Sequence, residues 1–299
     1  MENVGSNNTE TMINYSIIIP HYNRQDLLVR CLDSIPLRDD VEVIIVDDHS
    51  DPTIVDFEHF PGLDRLNTTC IFSDGTLGKG PGYARNVGLE KARGKWVVFA
   101  DSDDYFLPSI NELMDKHVSS ENEVLYFRCS KEEADGTFCP SYDYIDEAVD
   151  LAINGDEDQL LYYTPSPCAK FINRDYLNKN LIRFQEVTGG DDVIFSIDIA
   201  KNTNKREYVN QPMYCVVMAP QSLTRYSGWK SPYNFTIASC SAYTSLLPLQ
   251  KEKVPYLWIC KWWKLLWESN HIKAVSLTPI LVRTLGLRSS LSVIKKALK

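Results

Sequence analysis

The sequence predicts an α/β fold in which a mostly parallel sheet is covered by helices on both faces. Short, almost wholly apolar runs alternate with segments whose apolar residues recur at helical spacing. A continuous apolar run is typical of a strand that is buried on both faces, as in parallel sheets. Polar or acidic clusters follow three of these runs, which is where such sheets bind ligands.

Four apolar runs are predicted to form the strands of the first half of the chain. They are YSIII (15–19), which Pro20 is expected to stop, VEVIIV (41–46), TTCIF (68–72) and KWVVFA (95–100). Helices are predicted at RQDLLVRCLDSI and YARNVGLEKARG, the second closed by Gly94. Beyond about residue 120, the strand-like EVLYFRC and REYVNQPMYCVVM and the helical DDVIFSIDIAKN continue the fold, and helices are predicted from residue 228 onward.

Composition and targeting signals are those of a cytoplasmic globular protein. Of 299 residues, 44% are apolar and 24% are charged. The first ten residues, MENVGSNNTE, lack the basic and apolar regions of a signal peptide, and no apolar run of about 18 residues predicts a membrane span. Eight cysteines occur singly, without a C-x-x-C pair, so buried reduced thiols are expected rather than a zinc or redox site.

The charge is distributed unevenly along the chain. The net charge is −9, and from Lys251 to Lys299 ten Lys and Arg stand against two Glu, so this tail carries +8 and the remainder −17. An acidic body argues against nucleic-acid binding. The tail also clusters tryptophans at positions 258, 262, 263 and 267 among lysines.

Two interpretations of this basic tail are open. Residues 256–299 could form amphipathic helices that hold the protein peripherally on an anionic membrane, at the inner face of the cytoplasmic membrane. Alternatively, the tryptophans pack on the main domain or on a second subunit, which would make the protein a homo-oligomer. The charge asymmetry favours the membrane.

An acidic cluster follows the strand of KWVVFADSDDYFLP. Asp101, Asp103 and Asp104 lie within four positions, and like charges this close repel one another. Carboxylate oxygens suit Mg²⁺ or Mn²⁺, and a cation would relieve the repulsion. The alternative is that Asp103 or Asp104 caps the helix predicted after it, which accounts for one carboxylate but not for three.

The ordered motifs SIIIPHYNR, EVIIVDDHSD and GPGYARNVGLEKARGKWVVFADSDDYFLP resemble the family 2 glycosyltransferases of the GT-A fold. The resemblance runs from about Ser16 to Pro108. A second block, PCAKFINRDYLNKNLIRFQEVTGGDDVIF, resembles the acceptor-side region of that family. The resemblance implies a nucleotide-sugar-binding half (14–120) and an acceptor and catalytic half (121–227). The polar first residues predict a loose N-terminus (1–13), and the helical, basic, Trp-rich tail (228–299) has no counterpart in the family.

The resemblance also implies roles for single residues in binding the donor. Tyr22 would lie against the uracil ring, and Asp48 would accept a hydrogen bond from its N3–H. Asp101 would hold the ribose, and Asp103 would ligate the Mn²⁺ or Mg²⁺ that bridges the diphosphate. The whole implied nucleotide-sugar site comprises Pro20, Tyr22, Asn23, Asp48, Arg85, Asp101, Ser102 and Asp103.

Two of these residues have plausible structural roles instead. Tyr22 could be a half-buried aromatic residue of a turn. Arg85, which the resemblance places against the nucleotide, could form an ion pair on a helix surface. The glycine-rich GTLGKGPG lacks the spacing of a phosphate-binding G-x-x-x-x-G-K-[ST] loop, so it is interpreted as a flexible connection to the Arg85 helix.

A second acidic pair, Asp191 and Asp192, follows two glycines and opens an apolar helix. The structural alternative is again N-capping. The resemblance implies that Asp192 is the general base that removes the proton of the acceptor hydroxyl. Asp191 stands where the family usually has Glu, which leaves open which of the two carboxylates reaches the acceptor. The five histidines share no metal-ligand spacing and are expected on the surface or in turns.

The expected activity is an inverting, metal-dependent transfer of a sugar from a UDP-sugar donor to a hydroxyl of a glycan or lipid-linked saccharide. Bacterial surface-polysaccharide assembly, such as capsule, O-antigen or exopolysaccharide, follows by family analogy. One alternative is a nucleotide-sugar-binding scaffold without catalysis, which the intact acidic motifs disfavour. Another is a sugar nucleotidyltransferase, which PHYNR disfavours because it stands where those enzymes carry a Gly-rich loop.

Overall fold

A computed structural model describes residues 12–137, 139, 144–187, 190–218, 230–246 and 257–297 of the chain. Within these ranges, eight strands form one sheet in the order β3-β2-β1-β4-β7-β6-β8-β5. The strands are β1 (Tyr15–His21), β2 (Val41–Asp47), β3 (Thr68–Phe72), β4 (Trp96–Phe99), β5 (Tyr105–Phe106), β6 (Val124–Glu133), β7 (Lys170–Asn173) and β8 (Arg206–Met218). The predicted loose N-terminus falls almost wholly outside the described residues.

The helices surround this sheet and continue beyond it. They are α1 (Gln25–Asp33), α2 (Pro81–Lys91), α3 (Ile110–His117), α4 (Tyr144–Ile153), α5 (Asp158–Tyr163), α6 (Arg174–Lys179), α7 (Asp191–Asn202), α8 (Lys230–Ser245), α9 (Leu257–Ser269), α10 (His271–Ser276) and α11 (Thr278–Ala297). Every residue of β1, β2 and β4 is buried, so both faces of the sheet are covered there. The predicted α/β class is confirmed.

The sheet combines parallel and antiparallel pairing. β1, β2, β3 and β4 pair in parallel, as predicted. On the other side of β4, β7 runs antiparallel to both of its neighbours, β6 and β8 pair in parallel, and the two-residue β5 runs antiparallel to β8. The sheet is therefore mixed, with its parallel half at the edge that carries the predicted nucleotide motifs.

The prediction that Pro20 ends the first strand is wrong. Pro20 lies within β1, buried and in register with Val46 of β2, and the strand continues to His21. Pairing of β1 with β4 ends at Ile18. The nitrogen of Pro20 points to the same side as the Ile18 carbonyl, so its missing N–H falls where the neighbouring strand has already ended.

The C-terminal helices form a second apolar cluster beside the core of the sheet. Trp263 is 1% exposed within this cluster, and its indole Nε1 donates a hydrogen bond to the Ala274 carbonyl at 3.1 Å. Trp262 stacks on Phe235 of α8 with ring centroids 4.2 Å apart. These tryptophans therefore pack on protein, which favours the packing alternative for them. The side chain of Trp258, as well as Tyr256 and Lys299, lies outside the description.

Two further sequence expectations have clear outcomes. All eight cysteines are free thiols, and seven are buried, with only Cys70 partly exposed. Among the described residues, no helix combines the length and the apolar character that crossing a membrane requires.

Candidate functional site

The candidate site lies where β1, β2 and β4 end at the same edge of the sheet. Tyr22 follows β1 and is 55% exposed, so part of its ring is accessible to a ligand. Asp48 follows β2, and its backbone N–H donates to the His21 carbonyl at 2.8 Å. Parallel pairing thus brings Tyr22 and Asp48 onto adjacent loops, as their predicted roles require.

A buried hydrogen-bond network holds these two loops together. His21 Nδ1 lies 2.7 Å from Asp47 Oδ2, and the same carboxylate accepts from both the backbone and the hydroxyl of Ser50. Ser50 Oγ in turn accepts from the backbone N–H of Asn23, whose φ of 55° places it in the left-handed region. The Asn23 side chain accepts from the Asp51 N–H at 2.8 Å, which closes the link between loops.

The expectation that the histidines lie on the surface or in turns is wrong for two of them, which lie in β1 and α3. His21 and His117 are 1% and 4% exposed. The signal for His21 was present in the sequence, because the apolar run before it continues without a break into the PHYN motif. His117 closes α3 and contacts Phe127 edge-on with ring centroids 5.8 Å apart.

Asp48 has a carboxyl oxygen available for a ligand. Its Oδ2 accepts a hydrogen bond from the Gly80 N–H at 2.7 Å, at the start of α2. Its Oδ1 is buried and has no partner in the described structure. Burial raises the pKa of this carboxyl group. A donor N–H, such as that of a uracil ring, would satisfy the open oxygen.

The DSDD turn after β4 positions its three carboxylates differently. The Asp101 N–H donates to the Tyr214 hydroxyl at 2.8 Å, and Asp104 Oδ1 accepts from the Val217 N–H at 2.8 Å. Asp104 is 4% exposed, whereas Asp103 is only partly buried and Ser102 is buried within the turn. The third carboxylate therefore anchors the turn to β8, whereas Asp101 and Asp103 remain partly exposed.

The prediction that one of these aspartates caps the following helix is wrong. α3 begins at Ile110, and its N-cap residue is Ser109, without a side-chain capping bond. The short strand β5 intervenes between the acidic turn and the helix. Asp104 is used by β8 instead, a long-range contact that the local sequence does not reveal.

Arg85 joins the two acidic motifs. Its guanidinium donates from Nη2 to Asp101 Oδ1 and from Nη1 to Asp191 Oδ2, each at 2.6 Å. The Arg85 side chain is buried, so the alternative of an ion pair on the helix surface is wrong. The structure thereby brings the donor-side and acceptor-side motifs, separated by ninety residues in sequence, into one constellation.

Asp192 differs from Asp191 in having an unpaired oxygen. Asp191 is occupied by Arg85, whereas Asp192 Oδ1 is buried without a hydrogen-bond partner in the described structure. Burial and the neighbouring charge of Asp191 raise the pKa of Asp192 to about 7. Neither residue caps α7, whose N-cap is Gly190 in the left-handed conformation. A half-buried carboxyl group with this pKa is suited to accept a proton near neutral pH.

The donor set of the turn fits a divalent cation that also binds phosphate. Burial and the repulsion of Asp101 raise the pKa of Asp103, and a bound cation would remove that cost. Within the described ranges, no group of three or more His, Cys, Asp or Glu forms a complete metal cage. A site with few protein carboxylates suits a hard cation that draws its other ligands from substrate phosphates and water.

Several residues of this constellation were missed from the sequence. Tyr214, which holds the Asp101 backbone, lies in a strand far along the chain and carries no local signal. Asn86 follows Arg85 in the YARN motif and bonds the backbone of Phe184, so its helical spacing from Gly82 could have indicated a shared buried face. Asp47, the first acid of VDDHSD, was passed over in favour of Asp48.

Comparisons with known proteins give one family. The sequence model described as Glycosyl transferase family 2 matches residues 16–181, more than half of the chain. The chain is 28% identical over 234 residues to the poly(ribitol-phosphate) beta-N-acetylglucosaminyltransferase TarS of Staphylococcus aureus, covering 75% of this chain and 39% of TarS. It is 38% identical over 94 residues to the poly(ribitol-phosphate) beta-glucosyltransferase of Bacillus spizizenii, covering 30% of this chain and 15% of that protein.

Solved structures agree with the fold. The crystal structure of S. aureus TarS 1–349 in complex with UDP-GlcNAc superposes with a TM-score of 0.65 at 21% identity, covering 91% of this chain and 82% of that one. The complex of the same fragment with UDP gives a TM-score of 0.57 at 23% identity, covering 89% and 75%. The chain spans well under half the length of the two curated relatives described above.

Proposed function

Because the chain belongs to glycosyl transferase family 2, we propose that it transfers a sugar from a UDP-sugar to a hydroxyl group of a cell-surface glycan. The observation that carries this proposal is the constellation at the carboxyl edge of the sheet. It consists of an exposed aromatic ring, an acceptor oxygen without a partner in the described structure, and two acidic motifs that Arg85 joins. UDP as the nucleotide is supported by the UDP and UDP-GlcNAc complexes of the structural neighbour.

The donor would bind along the loops after β1, β2 and β4. Tyr22 supplies a flat ring for the base, and Asp48 Oδ1 supplies the acceptor for an imide N–H. Asp101 would bind the ribose, and Asp103 would hold Mn²⁺ or Mg²⁺. When bound, such a cation stabilises the negative charge of the departing diphosphate.

The acceptor would meet Asp192. In a direct displacement, the acceptor hydroxyl attacks the anomeric carbon while its proton passes to a carboxylate, and the bond to the diphosphate breaks. Asp192 Oδ1 is the free oxygen for that proton, since Asp191 is held by Arg85. One displacement inverts the anomeric configuration. The names of the two curated relatives support a polyol-phosphate polymer as the class of acceptor.

Donor hydrolysis tests this proposal without knowledge of the acceptor. Purified protein is incubated with radiolabelled UDP-sugars and Mn²⁺, and release of free sugar is measured over hours. We expect slow hydrolysis of one UDP-sugar, and NMR of the product at early times should show the anomer inverted relative to the donor. Donor binding without any release, even with glycan acceptors present, would instead establish a nucleotide-sugar-binding scaffold.

We also propose that the C-terminal helices attach the protein peripherally to an anionic membrane, in the cytoplasm where nucleotide sugars are made. Although Trp263 is internal, the outer faces of α10 and α11 expose Ile272 and Leu287, which are 82% and 64% exposed. The basic side chains of Arg283, Arg288 and Lys295 are exposed on α11 as well. Apolar and basic groups exposed together are the combination that interfacial helices use.

The triple variant R283Q/R288Q/K295Q removes three exposed positive charges and tests the attachment without disturbing the buried cluster. At about 1 kcal/mol per basic residue near an anionic surface, its affinity for anionic liposomes should fall by roughly 100-fold. The parent should pellet with anionic liposomes at low salt and remain in the supernatant with neutral ones. Equal partitioning of parent and triple variant would contradict the attachment.

A further inference from the structure

One face of α2 packs closely against the segment that leads into α7 and forms hydrogen bonds with it. Gly82, Arg85 and Asn86 share this face because they are spaced by three and four residues. The Asn86 side chain donates to the Phe184 carbonyl at 3.0 Å and accepts from the Phe184 N–H at 2.9 Å. A Cβ atom at position 82 would lie 2.1 Å from the Gln185 carbonyl oxygen and 3.0 Å from Asp191 Cβ. Only glycine allows this approach.

Arg85 lies between the two acidic motifs, against the ring of Phe184. Its guanidinium carbon lies 5.2 Å from the centroid of the Phe184 ring, and Phe184 stacks on Phe195 of α7 with centroids 3.8 Å apart. The side chains of Arg85 and Asp191 are 7% and 6% exposed, whereas that of Asp101 is 38% exposed. The fork of donors on the guanidinium reaches both carboxylates at once, which a lysine ammonium cannot do in the same geometry.

We propose that Arg85 is a positioning residue that ties the donor-side carboxylate Asp101 to the acceptor-side carboxylate Asp191 and so leaves Asp192 free as the base. This inference rests on the proposed glycosyl transfer. It gives Arg85 a role different from contact with the nucleotide, since both terminal nitrogens of its guanidinium already bind carboxylates. It also gives Asp191 a defined task, which is to hold the first turn of α7 against α2.

The charges around Asp192 explain why the positive charge of Arg85 affects its ionisation. Asp191 on the same helix and Asp101 on the β4 turn both disfavour ionisation of Asp192, whereas Arg85 on α2 favours it. Lys170 on β7 is a further charged group that interacts with Asp192. Loss of the Arg85 charge would leave three carboxyl groups with little compensation, and Asp192 would take up a proton at higher pH.

Three variants separate charge from geometry. Arg85→Gln removes the cation, and Arg85→Lys keeps the charge but loses the fork. Arg183→Gln makes the same chemical change at a partly exposed arginine whose hydrogen bonds go to Asn178 and the Ile182 carbonyl and to neither motif. The ionisation of Asp192 is followed by ¹³C NMR of carboxyl-labelled aspartate, with its resonance assigned from its loss in Asp192→Asn. Donor hydrolysis and calorimetry with UDP are measured on the same proteins.

The inference expects a specific pattern. Arg85→Gln should raise the titration midpoint of Asp192 by at least one pH unit, and Arg85→Lys by less than half of that. Both should lower turnover at saturating donor by roughly 100-fold while the Kd for UDP changes less than about fivefold, and Arg183→Gln should match the parent. An unchanged midpoint in Arg85→Gln, together with UDP binding lost in proportion to turnover, would overturn the inference and make Arg85 a nucleotide contact. If the parent hydrolyses no donor, the proposed function fails, and the NMR titration still decides whether Arg85 controls Asp192.

Discussion

His21 and Asp47 face each other as the last register pair of the parallel strands β1 and β2, and His21 Nδ1 lies 2.7 Å from Asp47 Oδ2. Through His21 Nε2, which accepts the Arg24 N–H at 3.3 Å, and through Ser50, this pair holds the start of the loops that follow β1 and β2. A single buried contact therefore sets the positions of Tyr22 and Asp48.

Replacing His21 by Ala should lower the free energy of unfolding by about 2–3 kcal/mol, because a buried carboxylate loses a hydrogen bond. UDP affinity should fall as well, since the loops lose their common anchor. The matched control is His59→Ala, which breaks a similar His–Asp contact of 2.8 Å between side chains that are 81% and 55% exposed. The control should change stability by less than about 0.5 kcal/mol. Urea unfolding compares the two, and equal losses would show that the His21 pair is no anchor.

Replacing Asp103 by Asn should remove the enhancement of UDP binding by Mn²⁺, because an amide oxygen is a weaker ligand for a hard cation. Calorimetry with UDP, with and without Mn²⁺, measures this directly. Asp135→Asn, on an exposed turn where the carboxylate bonds only Thr137 among the contacts described, serves as the control. The same metal enhancement in Asp103→Asn and in the parent would refute Asp103 as the ligand.

Replacing Asp192 by Asn should reduce turnover by roughly 100- to 10,000-fold and leave UDP affinity nearly intact, as expected for loss of a positioned base. The base must be ionised to act, and its pKa is about 7. The parent rate should therefore be low at pH 5.5, rise through pH 7 and level off above pH 8. A larger loss in Asp191→Asn than in Asp192→Asn would assign the base to Asp191.

The same substitution should stabilise the fold at high pH. The pKa of Asp192 is raised in the folded state, so ionisation is unfavourable there, and stability is lost as pH rises from the ordinary Asp pKa of about 4 through 7. At pH 8, Asp192→Asn should unfold at a higher urea concentration than the parent, with a free energy of unfolding that is larger by about 1–3 kcal/mol. At pH 4.5 the two proteins should differ little. A gain of the same size at both pH values would show that it does not arise from the charge.

Replacing Trp263 by Ala should lower stability by about 3–5 kcal/mol, because a large buried ring leaves a cavity. Leu265→Ala, two residues away on the same helix and 38% exposed, should cost less than about 1 kcal/mol. Thermal unfolding followed by tryptophan fluorescence and circular dichroism measures both. A mild effect of Trp263→Ala would mean that the C-terminal cluster contributes little to the fold.

The predictable parts of this molecule are those with short-range signals. The parallel half of the sheet was evident because its strands are continuous apolar runs, each followed closely by its polar motif. Tyr214 and the antiparallel strand β7 were missed because their partners lie far away in sequence and their own patterns are ordinary. The tryptophans were misinterpreted for a related reason. Lys261 and Lys264 beside Trp263 suggest a helix at a membrane surface, but the helix buries only one of its sides, the one that carries Trp263.

The buried cysteines can be used to measure local opening of the protein, because they lie in different parts of the fold. Cys31 lies in the core beneath the sheet, whereas Cys240 and Cys260 lie in the C-terminal cluster, and all three are buried. A thiol reagent can modify such residues only during a transient excursion that exposes them. Labelling rates resolved by mass spectrometry would therefore time the opening of each region separately, without any introduced probe. If the C-terminal cluster opens first, Cys240 and Cys260 should be modified together, before Cys31.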